Sequence, residues 1–536
     1  MPVWVQPLNP LNSMALSALV AVVPLAILLF LMGGLRKAGA VAAAWGLAAA
    51  LFLAIVAWRM PLKLACLSLV YGVGYGLWPI MWIVFTALWL YNLAADTGKF
   101  DLLRRWMADH AFGDVRLQVI LVAFCFGALL EGTAGFGAPV AVTACLLLGL
   151  GFEAGQAVKV SLIANTAPVA FGSLGIPIVA LAGVTGLDQM KLSAMVGRQL
   201  PFLSLILPGY LVWVVAGRRG LKETWPAALV AGASFATAQF AVSNFWGPYA
   251  ADIIAALAAI AALTLFCRVW KPAAARAGSS GPSSGEAHAP LALSRAEVLA
   301  AWTPWVLLSA VMIVWSYLKL FQRGQLALPV PGLHNAIFIA LYQKPYAAIY
   351  AFQPMAAGTA ALTASVITAL LLGADPATFL RSGLKTLRQL RQPGLTVALI
   401  VALAYLYNYS GMAFTLGAAL AGLGVFFPLA SGFLGWIACF LSGSDTASNL
   451  LFGNLQVAAA HQIGVSPILL AATNSSGAVT GKMISPQNIA VGVTTVGLVG
   501  KEGHVMRTTL AHSLLLATLL SALAFAQAYW LKWMVP

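Results

Sequence analysis

Charge is what this chain has least of. Of its 536 residues, 8% are Asp, Glu, Lys or Arg, and only 14 are acidic. A soluble domain carries about 25% charged residues, so a water-facing surface cannot be built from this composition. Cysteine is also scarce. Cys66, Cys125, Cys145, Cys267 and Cys439 form no CxxC pair, which argues against a redox dithiol or a zinc site and leaves small buried hydrophobes. There is no HExxH helix and no GxxxxGKS/T phosphate loop, so metalloprotease chemistry and ATP-driven transport both lack their motif. His461, His504 and His512 have no partners at metal-ligand spacing. Neither a metal nor a cofactor is called for, and an enzyme is not expected.

What is present is apolar: 61% hydrophobic residues and a mean hydropathy of +0.92. The net charge of +15 could suggest nucleic acid. Its distribution argues otherwise. Bases stand in ones to threes at the ends of apolar runs, as at Arg36–Lys37, Arg104–Arg105 and Arg218–Arg219. Membrane spans are flanked in this way on their cytoplasmic side. Nucleic acid is therefore not an expected partner, and lipid is.

A bilayer core takes about 20 apolar residues per helix. Runs of that kind lie near 14–35, 38–57, 64–93, 117–152, 157–187, 198–217, 224–244 and 247–268, then near 296–320, 346–373, 394–427, 430–460, 465–500 and 509–534. The expectation is an all-α polytopic membrane protein with about 12–14 transmembrane helices. A Gly/Ser/Pro/Ala-rich stretch at 271–295 reads as a flexible loop. It separates a first half, 1–270, from a second, 296–536. Two basic segments with helically spaced apolar residues, 99–113 and 375–392, read as surface-lying amphipathic helices.

Ionisable groups deep in a span are costly and face a cavity. Most of the acidic residues, Asp252 among them, read as loop or span-end groups. Glu131 and Asp445 do not, and Lys482 is a base within a polar cluster inside a nominal span. The halves match around these groups. The first reads LEGTAGFGAPVAV and then LIANTAPVAFGSLGIPI; the second reads LSGSDTASNLLFG and then AATNSSGAVTGKMISPQ. Asn165 and Asn474 are each followed by Gly at seven positions and by Pro at twelve. This predicts two repeats with broken or re-entrant helical segments, near 130–180 and 441–490. Gly132, Gly135, Gly137, Gly443, Gly477 and Gly481 are expected as the backbone breaks, with close helix packing as the alternative for the first three. Broken helices in corresponding positions mark secondary-transporter sites, because freed backbone groups can hold a small polar solute.

The motifs LEGTAGFGAPVAV, LIANTAPVAFGSLG, LAYLYNYSGM, FLSGSDTASNLLFGNLQ and GKMISPQNIAVG resemble those of the L-lactate permease family of bacterial transporters. The resemblance runs from about residue 10 to the end, outside the 271–295 loop. It implies proton symport of L-lactate, D-lactate or glycolate across the cytoplasmic (inner) membrane, with inverted repeats, re-entrant hairpins and an elevator-like movement. Leu174, Ile176 and Asn488 depart from the expected pattern, which bears on the preferred hydroxy acid.

For a lactate-sized anion, Lys482, Asn165, Thr166, Ser475 and Ser476 are the candidates for the carboxylate. Asn474, Ser444, Thr446 and Thr133 are the candidates for the hydroxyl. Glu131 is the preferred proton carrier and Asp445 the second, unless Asp445 forms an ion pair with Lys482. Sodium coupling, or a channel for another small carboxylate, is the rival reading.

Overall fold

The computed structural model describes residues 3–35, 37–109, 114–135, 138–272 and 293–536. Gly137 and most of the 271–295 loop lie outside them. The described chain is helical. Ten of its helices are long and apolar enough to cross a membrane, or eleven if one bent pair is counted as a span. That is fewer than 12–14, for two reasons. Some apolar runs count as one long helical stretch although they bend within it: Gln189–Phe245 is 57 residues long. At about 1.5 Å per residue this far exceeds a bilayer core. Gly217 resolves the excess. Its φ of 66° breaks the helix, and the chain doubles back so closely that a Cβ on Gly232 would meet the Leu205 carbonyl at 2.3 Å. Other runs are divided by polar breaks into pieces too short to span, such as Ala154–Ala164 and Val169–Thr185, which bend by 65°.

Burial separates the helices by role. The span Met14–Met32 is 33% buried and turns most of its surface outward, whereas Val115–Thr133 is 89% buried and carries Glu131 near its end. The polar, broken segments gather around it. The helix Phe427–Ser442 packs on Pro467–Lys482 through glycine. A Cβ on Gly435 would lie 2.0 Å from the Asn474 carbonyl, one on Gly477 2.1 Å from Gly432, and one on Gly481 2.3 Å from Trp436. Small residues allow this backbone approach, where lipid supplies no hydrophobic drive between helices.

Three expected breaks therefore need correction. Gly132, Gly477 and Gly481 lie within regular helices, and their lack of a side chain serves packing. True departures occur at Gly135, φ +56°, and Gly443, φ +72°. The run near 346–373 is also corrected. Residues Ile349–Phe352 form a strand antiparallel to Leu326–Pro329, and the helix begins only at Ala357. A second small sheet joins Trp4–Val5, Ile337–Ile339 and Lys344–Pro345.

Both basic segments form helices, Lys99–Asp109 and Pro376–Gln389. The second is fixed on one face by Lys385 to Asp96, 2.6 Å, and by Asn92 to Thr386 and Gln389, 2.8 and 2.7 Å. Its other face exposes Leu380, Leu384 and Leu387.

Candidate transport site

Glu131 and Lys482 come from opposite halves of the sequence, 351 positions apart, and meet in the interior. Lys482 Nζ donates to Glu131 Oε1 at 2.7 Å, and both side chains are almost fully buried. Local structure explains each position. Lys482 ends the helix Pro467–Lys482, where a cation complements the helix dipole. Glu131 lies in Gly127–Thr133, just before the chain turns at Gly135. Asn165 caps the end of Ala154–Ala164 and donates from Nδ2 to Glu131 Oε2 at 2.9 Å. Two glycines let the chain close on this carboxylate. A Cβ on Gly172 would stand 2.7 Å from Glu131 Oε1, and one on Gly135 would stand 2.1 Å from Ser173 Oγ.

Asp445 opens the helix Asp445–Ile463. Ser444 is its N-cap, accepting from the Ala447 amide at 3.3 Å. Asp445 Oδ2 accepts from Ser475 Oγ at 2.7 Å, while its buried Oδ1 has no partner among the described residues. Lys482 thus forms its ion pair with Glu131 and none with Asp445 among the described residues. The alternative Asp445–Lys482 pair is corrected accordingly: Asp445 receives a hydroxyl in place of a cation.

All three groups line one cavity of about 680 Å³, along with Gly172, Ser173, Ser444, Thr446, Gln487 and Asn488. Apolar wall is supplied by Ile80, Val84, Ile176, Val397 and Ile400. Two helices, Asp445–Ile463 and Pro486–Thr495, begin at the cavity wall, while Ser173, Leu174 and Gly175 beside them take left-handed φ values of 46°, 59° and 70°. Free amides and the positive dipole end favour an anion at each start. The cavity's polar charge is two carboxyls and one ammonium among the described residues. A small solute with one carboxylate, a hydroxyl and a short apolar end matches these surfaces in kind.

The other sequence candidates divide. Ser444 and Thr446 reach the cavity with Lys482. Asn165, Thr166, Asn474, Ser475, Ser476 and Thr133 are buried but do not line it. Asn474 donates to Asn449 Oδ1 at 2.9 Å and accepts from Gln456 at 3.2 Å, bracing two helices. Thr133 bonds back to the Leu129 carbonyl. Ser475 acts on Asp445, and Asn165 on Glu131, so these two support lining groups. Sequence reasoning missed Ser173 and Gln487, although both stand beside recognised breaks. Asp252 stands at a span end as expected, in the first turn of Ala251–Val269, but it is fully buried and packs against Gly132.

The L-lactate permease family matches residues 17–531. Relatives include the glycolate permease GlcA of Escherichia coli K12, 44% identical over 99% of both chains. The L-lactate permease of the same strain is 44% identical over the full length of both. The L-lactate permease of Bacillus subtilis is 42% identical over 99% of this chain and all of that one. Among solved structures, MtrF of Neisseria gonorrhoeae aligns over 89% of this chain and 86% of its own, with 12% identity and a TM-score of 0.48. The matched relatives are permeases and not enzymes, and this chain, with its spanning helices and a buried ionic cavity between its halves, is a multi-pass transporter of the bacterial cytoplasmic membrane that belongs to the L-lactate permease family.

Proposed function

We propose that the chain takes up L-lactate, together with D-lactate or glycolate, by proton symport. The observation that carries this reading is the Glu131–Lys482 pair in the cavity wall. A buried ammonium can serve one carboxylate well. When the substrate carboxylate takes Lys482, Glu131 loses its cation while remaining almost fully buried. Leaving that charge bare is costly, so Glu131 takes a proton as the anion binds. Substrate and proton then enter together because each makes room for the other's charge. The starts of Asp445–Ile463 and Pro486–Thr495 hold the remaining carboxylate oxygen, and Ser444 and Thr446 meet the hydroxyl. Asp445, steadied by Ser475, is the second acid of the site. Asn165 keeps Glu131 oriented once the lysine has turned to substrate.

Substrate size is set by Ile176 and Asn488, which line the cavity and depart from the pattern expected of the family. Identity to the relatives does not choose the hydroxy acid, since the glycolate and L-lactate permeases of one strain are equally similar at 44%.

The test is uptake into proteoliposomes with an imposed pH or sodium gradient and a panel of short hydroxy acids. Wild type accumulates lactate with the pH gradient and not with sodium. Glu131→Gln retains lactate exchange at equal pH but no longer accumulates it. If Glu131→Gln accumulates lactate as wild type does, Glu131 is not the carrier. A sodium-driven wild type would overturn proton symport itself.

A further inference from the structure

The helix Pro376–Gln389 is too short and too polar to cross a bilayer. Its 14 residues reach about 21 Å, against a hydrocarbon core of about 30 Å. It carries Arg381, Lys385 and Arg388, with no acid between Pro376 and Arg391. One face holds it firmly on the protein. Trp89 Nε1 donates to the Phe379 carbonyl at 3.0 Å, and a Cβ on Gly383 would stand 2.7 Å from the Trp89 ring. Ser382 and Lys385 both donate to Asp96 at 2.6 Å, and Thr386 and Gln389 accept from Asn92.

The rest of the helix has an order that this docking does not use. Each of its leucines is followed by a base: Leu380–Arg381, Leu384–Lys385 and Leu387–Arg388. At about 100° per residue, the three leucines share one stripe and the three bases share the stripe beside it. The docked residues take the remaining face. Each leucine is more than half exposed. Arg381 and Arg388 are exposed too, and form no salt bridge among the described residues. A leucine stripe alone would need only acyl chains, as on any spanning helix. A basic stripe alone would need only water. Side by side on a helix that lies flat, they fit the boundary where acyl chains meet headgroups. Unpaired guanidinium groups at that depth match phosphate.

We propose that this face of Pro376–Gln389 is a docking surface for anionic phospholipids of the cytoplasmic leaflet. Leu380, Leu384 and Leu387 lie among the acyl chains, and Arg381 and Arg388 hold the phosphates. Charge complementarity selects this occupant over a second copy of the chain, because two copies meeting here would bring the same unpaired bases together. Bases gather on the cytoplasmic side of a membrane, where anionic lipid attracts them. The chain then carries the effect to the transport site. Leu390 alone separates this helix from Arg391–Ser410, whose Gln392, Pro393 and Thr396 line the cavity. A lipid that fixes the helix fixes that part of the wall. None of this depends on which group carries the proton.

The test uses the full chain in proteoliposomes, with Cys66→Ser and a fluorophore on Leu384→Cys. The vesicles mix phosphatidylcholine with phosphatidylglycerol, and one or the other carries brominated acyl chains as the quencher. At equal brominated fraction, phosphatidylglycerol should quench more strongly, because each base near an anionic surface is worth about fivefold in binding. Arg381→Gln with Arg388→Gln should lower that selectivity by about twenty-five-fold on the same scale. Arg218→Gln with Lys222→Gln, which removes equal charge elsewhere, should leave it unchanged. Lactate exchange at equal pH should rise with the phosphatidylglycerol fraction in wild type and not in the Arg381, Arg388 variant. Equal quenching by the two lipids overturns the proposal, as does selectivity that survives loss of both arginines. Selectivity lost equally in the Arg218, Lys222 variant does so too. Quenching by neither lipid shows the face covered by protein, a second copy included, and also overturns it. Exchange indifferent to phosphatidylglycerol while quenching stays selective overturns the step from the helix to the cavity.

Discussion

Among the described residues one almost fully buried ion pair joins the two halves of the sequence, and its energetics can be tested without any transport assay. Removing one partner of a buried pair leaves an uncompensated charge, which costs about 3–5 kcal/mol, whereas replacing both can be nearly neutral. Lys482→Met should therefore lower the melting temperature in detergent more than the double variant Glu131→Gln, Lys482→Met does. Equal melting temperatures for the single and double variants would show that the pair carries no mutual stabilisation. The residues of this pair were legible in the sequence because carboxylates and amines inside apolar runs are rare and conspicuous. Their pairing was not. Spacing along a chain says nothing about which of two carboxyls a lysine will face across 351 positions. The burial of Asp252 escaped notice for a related reason: a span-end residue looks exposed until the helices around it are known.

At the scale of elements, two devices hold the site's helices in place. The first is glycine packing between Phe427–Ser442 and Pro467–Lys482. A methyl at position 477 would stand 2.1 Å from a backbone carbonyl, so the helices must separate. Overpacking of that kind costs about 1–3 kcal/mol. Gly477→Ala is expected to lower the melting temperature and to reduce transport through displacement of Lys482; Gly422→Ala, where a Cβ meets nothing within 4 Å, should do neither. The second device anchors the other end of the Glu131-bearing span. Asp114 caps it by accepting from the Arg116 amide at 2.9 Å, and Arg116 bridges onward to Glu223 at 2.5 Å. Burial alone would push the Asp114 carboxyl up; the hydrogen bonds and charge of Arg116 outweigh it and hold the group below the ordinary carboxylate range. A carboxylate held low contributes stability above its unfolded pKa and loses it as the pH falls through the folded one. Acid below the ordinary carboxylate range should then lower the melting temperature of wild type by more than that of Asp114→Asn. The sequence announced these helices by their hydropathy. It did not separate a glycine that breaks a helix, such as Gly443, from one that packs it, such as Gly477, because the two differ only in what lies opposite.

The whole molecule is a frame of lipid-facing spans around a buried polar centre, and its cavity has a direction. Glu131, Asp445 and Lys482 lie deep, while Ala38, Val41, Gln392, Gln487 and Val491 are exposed parts of the lining. Exposed Lys37 and Arg391 stand beside that mouth in the sequence, and such bases gather on the cytoplasmic side. The mouth thus reads as inward-facing, and a movement of the broken-helix segments against the frame would present the same groups outward. Accessibility of Gln392 tests both points. With the exposed Cys66 replaced, Gln392→Cys should react with a membrane-impermeant maleimide in inside-out vesicles and be shielded in right-side-out ones. Lactate should change that rate, because a carrier that passes substrate by alternating access redistributes between its two openings when substrate binds. A channel would keep the position equally reactive with and without lactate. Labelling that is faster in right-side-out vesicles would reverse the orientation assigned here and place the Lys37 and Arg391 flank outside the cell.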